Sequence, residues 1–210
     1  MSNGKNGKGL LFGLIVLPLF IIAVVFLATT IENTRDVNVS IETSVQPEEA
    51  QLSPQVKRYE DEVRRYAAEE GIEAYTDVIL ALMMQESGGR GDDPMQASES
   101  HCGEVGCIED PETSIKQGVS YFAYTLERAG GDVKLALQSY NFGAGFIDYV
   151  KENGGAYTQQ LAIDFSAKKY EELKDTGIYS CIREEAEQYD ACYGDIYYVD
   201  AVLDYYDEEI

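Results

Sequence analysis

The 210-residue sequence predicts a mainly α-helical single domain that is preceded by one transmembrane helix. Three observations support this fold class. An uncharged apolar run near the N-terminus is long enough to cross a bilayer, and apolar residues after it recur at helical spacing between N-cap and glycine signals. Strand signals are nearly absent, so we expect at most a short hairpin.

The N-terminal apolar run, residues 10–31, reads LLFGLIVLPLFIIAVVFLATTI. As a helix it would extend about 33 Å, enough for a hydrocarbon core of about 30 Å. Lys5 and Lys8 precede it and Glu32 follows it, so the positive-inside rule makes residues 1–31 a cytoplasmic N-terminus and membrane anchor. A cleaved signal peptide is the alternative, but the run is long and FLATTIENT lacks a clean cleavage site. We expect a single-pass cell-membrane protein with an extracellular C-terminal domain.

Residues 32–53 are polar without a helical apolar stripe, which predicts an extracellular stalk before a domain over residues 54–210. Ser53-Pro54 is a helix start signal, and Gly71 ends the apolar pattern that follows. The next helix begins after Thr76 and is apolar on nearly all sides. It is therefore predicted to be central and buried, and to end at Glu86.

The later helices are predicted from caps and periodicity. Asp110-Pro111 and Asp132 are N-cap signals for two of them, and three more follow in GFIDYVKEN, TQQLAIDFSAKKYEELK and DIYYVDAVLDYY. The segment from Gly88 to Gly106 is rich in glycine and aspartate. It is expected to form either a short hairpin or an irregular loop held by a disulfide.

Four cysteines follow the apolar run, and an even number in an exported domain predicts two disulfides. Sequential pairing, Cys102 with Cys107 and Cys181 with Cys192, is preferred because each bridge would close a polar loop. A metal site is the weaker alternative: the single histidine, His101, adjoins Cys102, but no CxxC or HxxxH spacing accompanies it. We predict no metal and no cofactor.

The charge balance limits the partners of the exported part. The chain has 38 acidic and 16 basic side chains and a net charge of −22. Phosphates would be repelled, so nucleic acid is excluded as a partner. Charge-driven attraction to an anionic membrane or wall is also excluded, so a polyanionic surface would have to be recognised by local fit.

Glu86 is the candidate catalytic residue, because it ends an apolar helix and precedes a glycine-rich turn in QESGG. Burial disfavours an ionised carboxyl group, so its pKa is expected to be raised. A protonated carboxyl group is the general acid that a glycosidic oxygen needs before it can leave. The glycines are expected to let a saccharide approach the carboxyl group closely. The alternative is that Glu86 only hydrogen-bonds a loop amide.

Two further motifs follow QESGG in order: DPMQASES, and SYNFG within LALQSYNFGAGFIDYV. Together the three resemble the soluble lytic transglycosylase and goose-type lysozyme group over roughly residues 55–206. They are similar in particular to the muramidase domain of Gram-positive two-domain wall hydrolases carried on conjugative elements. The resemblance implies a lysozyme-like domain that cleaves the β-1,4 bond between N-acetylmuramic acid and N-acetylglucosamine in peptidoglycan.

The resemblance also implies roles for individual residues. Glu86 would be the catalytic acid, Gln96 would face the saccharide, and Tyr140 and Asn141 would orient the acid and bind substrate. The expected substrate-binding positions are Ser87, Gln96, Glu99, Tyr140, Asn141 and Gly143. Peptidoglycan glycan strands are the expected partner, with the membrane and proteins of a secretion or conjugation apparatus. The rival interpretations are a non-catalytic wall-binding or scaffold module and an assembly subunit.

Two departures from the family pattern bear on the mechanism. The loop after Glu86 is shorter and acidic, and the peptidase domain of the two-domain relatives is missing from the sequence. An inverting hydrolase needs a second carboxylate about 6.5–9.5 Å from the first, whereas a transglycosylase needs only one acid. The candidates for a second carboxylate are Asp92, Asp93, Glu99 and Asp110. Glu99 ranks first because it follows Gln96, although each candidate also suits a turn, a helix cap or a solvated loop.

The 16 tyrosines raise the question of sugar stacking in a chain without tryptophan. Those at helical spacing are predicted to be half-buried packing residues: Tyr59, Tyr66, Tyr121 and Tyr124. The late tyrosines are left open, because a late tyrosine of the family reaches the cleft: Tyr193, Tyr197, Tyr198, Tyr205 and Tyr206.

Overall fold

A computed structural model of the chain describes residues 51–206. The predicted anchor at residues 10–31 and nearly all of the predicted stalk lie outside the described residues. Within residues 51–206, none of the helices combines the length and the apolar character that a membrane crossing needs.

The part of the chain that the structure describes is helical and contains no strand, which confirms the mainly α prediction. The α-helices are α1 (Pro54–Lys57), α2 (Glu60–Glu69), α3 (Thr76–Glu86), α4 (Ser98–Cys102), α5 (Pro111–Arg128), α6 (Val133–Phe142), α7 (Gly145–Glu152), α8 (Gln159–Leu173) and α9 (Tyr198–Leu203). Short 3-10 turns lie at Glu73–Tyr75, Lys174–Thr176 and Glu184–Tyr189.

The predicted N-caps are confirmed at three helices. The side chains of Ser53, Asp110 and Asp132 each accept a hydrogen bond from a backbone N–H in the first turn, at 3.1, 2.9 and 2.9 Å. The first predicted helix differs from its prediction, because it is divided into α1 and α2 at Arg58–Tyr59. α1 is thereby free to turn away from α2 and to pack against α3.

Helix α3 forms the centre of the domain, as its sequence predicts. All residues from Val78 to Met83 are buried. α2 and α9 pack against α3, while α5 packs against α2 and α6. The last residue of α3, Glu86, therefore lies where this apolar core reaches the surface.

The two disulfides follow the preferred pairing, Cys102 with Cys107 and Cys181 with Cys192. The first closes the loop after α4, so residues 88–106 form an irregular segment with one short helix, and the hairpin alternative is wrong. The second closes the segment that leads to α9. Because Cys102 is bridged, it cannot join His101 as a metal ligand.

Candidate active site

Glu86 is half-buried at the C-terminal end of α3, with a single hydrogen bond to its carboxyl group among the described contacts. The donor is the hydroxyl of Tyr198, which bonds Oε1. Burial raises the pKa of Glu86 to about 7; the Tyr198 hydrogen bond opposes that rise and the negative charge of Asp93 adds to it. The carboxyl group is thus substantially protonated near neutral pH.

Tyr198 begins α9 and is 2 % exposed, so its hydroxyl points from the core toward Glu86. Burial, the charge of Glu86 and this hydrogen bond raise the pKa of Tyr198 well above 10. The hydroxyl therefore remains a donor over the whole neutral range. Of the late tyrosines that the sequence leaves open, Tyr198 contacts Glu86 because α9 packs against α3, and Tyr193 lines the cleft.

Tyr140 has a different contact from the one expected. Its hydroxyl donates to the carbonyl of Met95 at 2.9 Å, so it fixes the loop that carries Gln96, and the orienting bond to Glu86 comes from Tyr198. Met95 is fully buried, and its N–H donates to Ser114 Oγ at 3.0 Å. A Cβ at Gly118 would lie 2.6 Å from Met95 Cβ, so the loop packs directly on α5 through this glycine.

Asp93 lines the same cavity as Glu86, but both of its carboxylate oxygens already accept hydrogen bonds. Oδ1 accepts from Ser114 Oγ at 2.6 Å and from the Ala97 N–H at 2.9 Å. Oδ2 accepts from Ser98 Oγ at 2.6 Å and from the Ser98 N–H at 3.1 Å. Burial raises the pKa of Asp93, but these four hydrogen bonds together outweigh it and the net pKa is lowered. Asp93 is therefore ionised when Glu86 is protonated.

Gln96 and Glu99 lie at the mouth of the cavity, and both are exposed. Gln96 has a φ of 47°, a left-handed conformation that is uncommon for a residue with a side chain and that often marks functional loops. Its backbone N–H and its Nε2 both donate to the carbonyl of Asp93, at 3.1 and 2.8 Å. The turn around Asp93 thus presents Gln96 to the cavity.

Asn141 is held by the chain segment that precedes α9. Its Oδ1 accepts from the N–H of Asp195 at 2.8 Å. Asp195 is 5 % exposed and is bound by the guanidinium of Arg183 at 2.8 Å. A Cβ at Gly194 would lie 2.7 Å from Asn141 Oδ1. Gly194 and Asp195, which follow the second disulfide, therefore position Asn141, which the sequence did not indicate.

Two adjoining cavities of about 320 and about 310 Å³ form the cleft and share Gln96, Glu99, Tyr140 and Asn141. The first also contains Glu86 and Asp93. The remaining lining residues are Ser98, Val105 and Gly106 in the first cavity and Ser100, Tyr121, Phe142, Gly143 and Tyr193 in the second. The structure thus brings together all predicted site residues except Ser87.

Ser87 lies outside both linings and organises the loop. Its hydroxyl donates to the carbonyl of Pro94 at 2.7 Å and accepts from the N–H groups of Gly89 and Arg90 at 3.0 and 3.1 Å. Two of the second-carboxylate candidates also lie outside the cleft linings: Asp92 is exposed and Asp110 caps α5.

The glycines after Glu86 have another use than the expected one. Gly88 and Gly89 are buried, and a Cβ at Gly89 would lie 2.8 Å from the backbone of Gln55 and Val56. Ser53 Oγ donates to the Gly88 carbonyl at 2.9 Å. Gly89 thus admits α1, and neither glycine lines the two cavities; the approach of a saccharide beside them stays a prediction.

The chemistry available to this cleft is proton transfer. One carboxyl group of the cleft, that of Glu86, holds a proton near neutral pH and can act as an acid. The other, that of Asp93, is ionised and supplies a negative charge. Within residues 51–206, no group of three or more histidine, cysteine, aspartate or glutamate side chains is arranged to hold a metal ion.

Comparison with known proteins gives a consistent set of similarities. The family model described as lysozyme-like matches residues 53–206. The bifunctional muramidase/DL-endopeptidase CwlT of Bacillus subtilis strain 168 is 52 % identical over 115 residues, which are 55 % of this chain and 35 % of that protein. The uncharacterized membrane protein YocA of the same strain is 39 % identical over 148 residues, 69 % of this chain and 65 % of that protein.

One solved structure is also similar. It is that of a protein described as similar to a lipoprotein of the NLP/P60 family, from Staphylococcus aureus subsp. aureus Mu50. The TM-score is 0.65 at 36 % identity, over 76 % of this chain and 55 % of that chain. This chain therefore spans less than two thirds of the length of each of the three proteins.

Proposed function

Because the chain belongs to the lysozyme-like family, we propose that it is a peptidoglycan glycosidase with Glu86 as its general acid. The bond cleaved is the β-1,4 linkage between N-acetylmuramic acid and N-acetylglucosamine. The observation that carries the proposal is the environment of Glu86: a half-buried carboxyl group with a pKa of about 7, hydrogen-bonded by Tyr198 in an open cavity. Support also comes from the relative named as a muramidase.

In the first step, Glu86 donates its proton to the glycosidic oxygen, and the bond between this oxygen and the anomeric carbon of the muramyl residue breaks. Positive charge develops on the sugar ring, and ionised Asp93 in the same cavity stabilises it electrostatically. Tyr198 holds the Glu86 carboxyl group in one orientation. Gln96 and Asn141 offer amide groups on two sides of the cleft, suited to N-acetyl groups of the saccharide.

The second step decides between a muramidase and a lytic transglycosylase. A muramidase needs a base for water, and Glu99 is the exposed carboxylate of the cleft that suits this role. Asp93 suits it poorly, because each of its oxygens already accepts two hydrogen bonds. The same saturation favours the transglycosylase as a second candidate, in which the muramyl 6-hydroxyl attacks and Glu86 takes back the proton.

We further propose that the domain works at the outer face of the cell membrane, tethered by residues 10–31, in local wall remodelling. The uncharged run supports this proposal, as does the similarity to a protein named as a membrane protein. Proteins of a secretion or conjugation apparatus are the proposed partners. The alternative is a non-catalytic peptidoglycan-binding or scaffold module of such an apparatus.

Mass spectrometry of the products tests the proposal. The full chain, purified in a mild detergent, is incubated with peptidoglycan and the soluble fragments are analysed. Fragments ending in reducing N-acetylmuramic acid are expected of a muramidase, and 1,6-anhydromuramic ends are expected of a transglycosylase. Fragments ending in reducing N-acetylglucosamine would contradict the assigned bond. Binding to the wall without any fragments would leave the wall-binding module.

A further inference from the structure

The two cavities of the cleft carry negative charge that no cation of their walls compensates. The ionisable carboxyl groups that line them are Glu86, Asp93 and Glu99. Of the described residues, no lysine, arginine or histidine lines either cavity. A saccharide in this cleft therefore meets carboxylates and neutral polar groups.

Arginines of the adjoining segments do not supply the missing cation. Arg90 folds back over its own loop, where its guanidinium lies 2.6 Å from the position of a Cβ on Gly88. Arg183 is bound by both carboxylate oxygens of Asp195, at 2.8 and 2.9 Å. Arg128, whose charge acts on the lining residue Tyr121, is itself paired with Asp148 at 2.5 Å. The chain as a whole carries a net charge of −22.

Glu99 is the carboxylate with the widest influence on the cleft. It is exposed on α4 and lines both cavities. Its charge also acts on Tyr193, a wall residue of the second cavity, since it helps to raise the pKa of that hydroxyl after burial and Tyr179. Asp93, by contrast, is ionised, but four hydrogen bonds screen part of its charge.

We propose that the cleft discriminates against muramyl residues with a free lactyl carboxylate and selects those whose lactyl carboxyl group is an amide, with Glu99 as the specificity-determining residue. This inference rests on the proposed function. The lactyl carboxyl group is attached to the muramyl ring itself, so in a bound glycan we place it beside the carboxylates of the cleft. There a free carboxylate is repelled by Glu99, while an amide, such as the link to a stem peptide, is not.

The selection implies an order of reactions. An amidase-type reaction that removes the stem peptide leaves one free carboxylate on each muramyl residue. Such a reaction would convert preferred strands into poorer ones, so this chain acts on glycan strands preferentially before that reaction.

Binding of two matched glycans tests the selection independently of turnover. Full-chain Glu86→Gln, expected to cleave the ligand roughly 10³-fold more slowly than the wild type, is titrated by calorimetry with a muramyl tetrasaccharide whose lactyl carboxyl groups are either free or N-methylamides. We expect the amide to bind about fivefold to tenfold more tightly at about 0.1 M salt, the order of one like-charge repulsion in a solvated cleft. The ratio should shrink at about 1 M salt, where the Debye length falls from about 10 Å to about 3 Å.

Two further variants in the same background assign the effect. Glu99→Gln should reduce the amide preference toward one. Glu152→Gln, which removes an exposed carboxylate of α7 outside both cavities, should keep it. Equal affinities for the two glycans, or a preference that Glu99→Gln leaves intact, would overturn the inference.

Wild-type turnover of whole peptidoglycan, measured in parallel, tests the proposed function separately. Turnover with equal affinities would reject only the selection. Selection without turnover would reject only the enzymatic activity.

Discussion

Glu86 at the end of α3 and Asp93 in the following loop line one cavity, yet their environments are opposite. Among the contacts within residues 51–206, Glu86 receives one hydrogen bond, and burial raises its pKa to about 7. Burial acts on Asp93 in the same direction, but four hydrogen bonds outweigh it and lower its pKa. The number of donors therefore decides which carboxyl group keeps its proton, and burial alone does not.

The two environments arise from two kinds of local sequence. α3 is apolar on nearly all sides and leaves a carboxyl group at its end with few polar neighbours. The loop after it turns back on itself, so the amides of Ala97 and Ser98 converge on Asp93. The end of α3 thus surrounds Glu86 with apolar side chains, whereas the following loop surrounds Asp93 with hydrogen-bond donors.

The largest effect is expected from Glu86→Gln. An amide cannot donate a proton to a glycosidic oxygen, and general acid catalysis contributes about 10²–10⁴-fold to rate. We expect kcat/KM on peptidoglycan to fall roughly 10³-fold, measured as release of soluble reducing or anhydro ends, with the helical circular dichroism unchanged.

The matched control for this variant is Asp92→Asn. Asp92 is an exposed neighbour in the same loop and lines neither cavity, so the activity should stay within about twofold of wild type, as at a surface position. A Glu86→Gln protein with most of its activity would show that the proton comes from another group, and the contrast between the two carboxyl groups would lose its functional meaning.

Asp93→Asn is expected to have the next largest effect, on the free energy of unfolding. The new amide NH₂ would face donors that now bond Oδ1 or Oδ2, so the folded state should lose about 3 to 4 kcal/mol. Because the folded pKa of Asp93 lies below the unfolded value near 3.8, the stability it contributes is present above that pH and is lost as pH falls through the folded pKa.

Denaturant unfolding at two pH values measures this loss. The wild type should exceed Asp93→Asn most at pH 6 and progressively less below about pH 4. Ser100→Ala, which removes a hydroxyl that donates to the Ala97 carbonyl in the same loop, serves as the control and should show no such pH dependence. A difference between wild type and Asp93→Asn that is constant with pH would mean that the ionised form is not the stabilised one.

Much of α3 and of Glu86 could be predicted because the signals are local. A helix that is apolar on nearly all sides is expected to be buried, and its last residue is then expected at the edge of the core. The caps at Ser53, Asp110 and Asp132 depend on residues three positions apart. These contacts join residues that are close together in the sequence, and the structure confirms them.

The contacts that complete the site join distant parts of the chain. Tyr198 reaches Glu86 across 112 positions, and Asp195 reaches Asn141 across 54. Five late tyrosines have similar local surroundings, and only the packing of α9 on α3 distinguishes Tyr198. The same reason explains Gly89: the sequence shows a glycine turn, but it does not show that α1 occupies the space beside it.

The third effect concerns stability and reverses the pH dependence of Asp93→Asn. The folded pKa of Glu86 is raised from 4.5 to about 7, so its contribution to stability is complete below pH 4.5 and is lost as pH rises through 7. Glu86→Gln does not ionise. We expect it to exceed the wild type by about 3 kcal/mol at pH 8 and to equal it near pH 4, since one pKa unit corresponds to about 1.4 kcal/mol.

Thermal or urea unfolding across pH 4–8 would show this gain. Glu104→Gln, at an exposed position of the first disulfide loop, is the control and should follow the wild-type curve at every pH. If Glu86→Gln were no more stable than wild type at pH 8, the carboxyl group would be solvated when ionised, and its difference from Asp93 would not come from burial.

The smallest effect is expected from Tyr198→Phe, and it concerns the pH dependence of activity. In the wild type, kcat/KM should fall tenfold per pH unit above a midpoint of about 7, because the acid form of Glu86 disappears. The Tyr198 hydrogen bond lowers the pKa of Glu86, so its removal should move that midpoint to higher pH. Activity at pH 6 should fall about tenfold, because Glu86 becomes charged as it gives up its proton and a hydrogen bond to a charged group is worth about that much. Tyr140→Phe, which loses a bond to the Met95 carbonyl instead, should leave the midpoint in place. A midpoint that moved in Tyr140→Phe and not in Tyr198→Phe would mean that Tyr140 orients the acid, as the motif alone suggests.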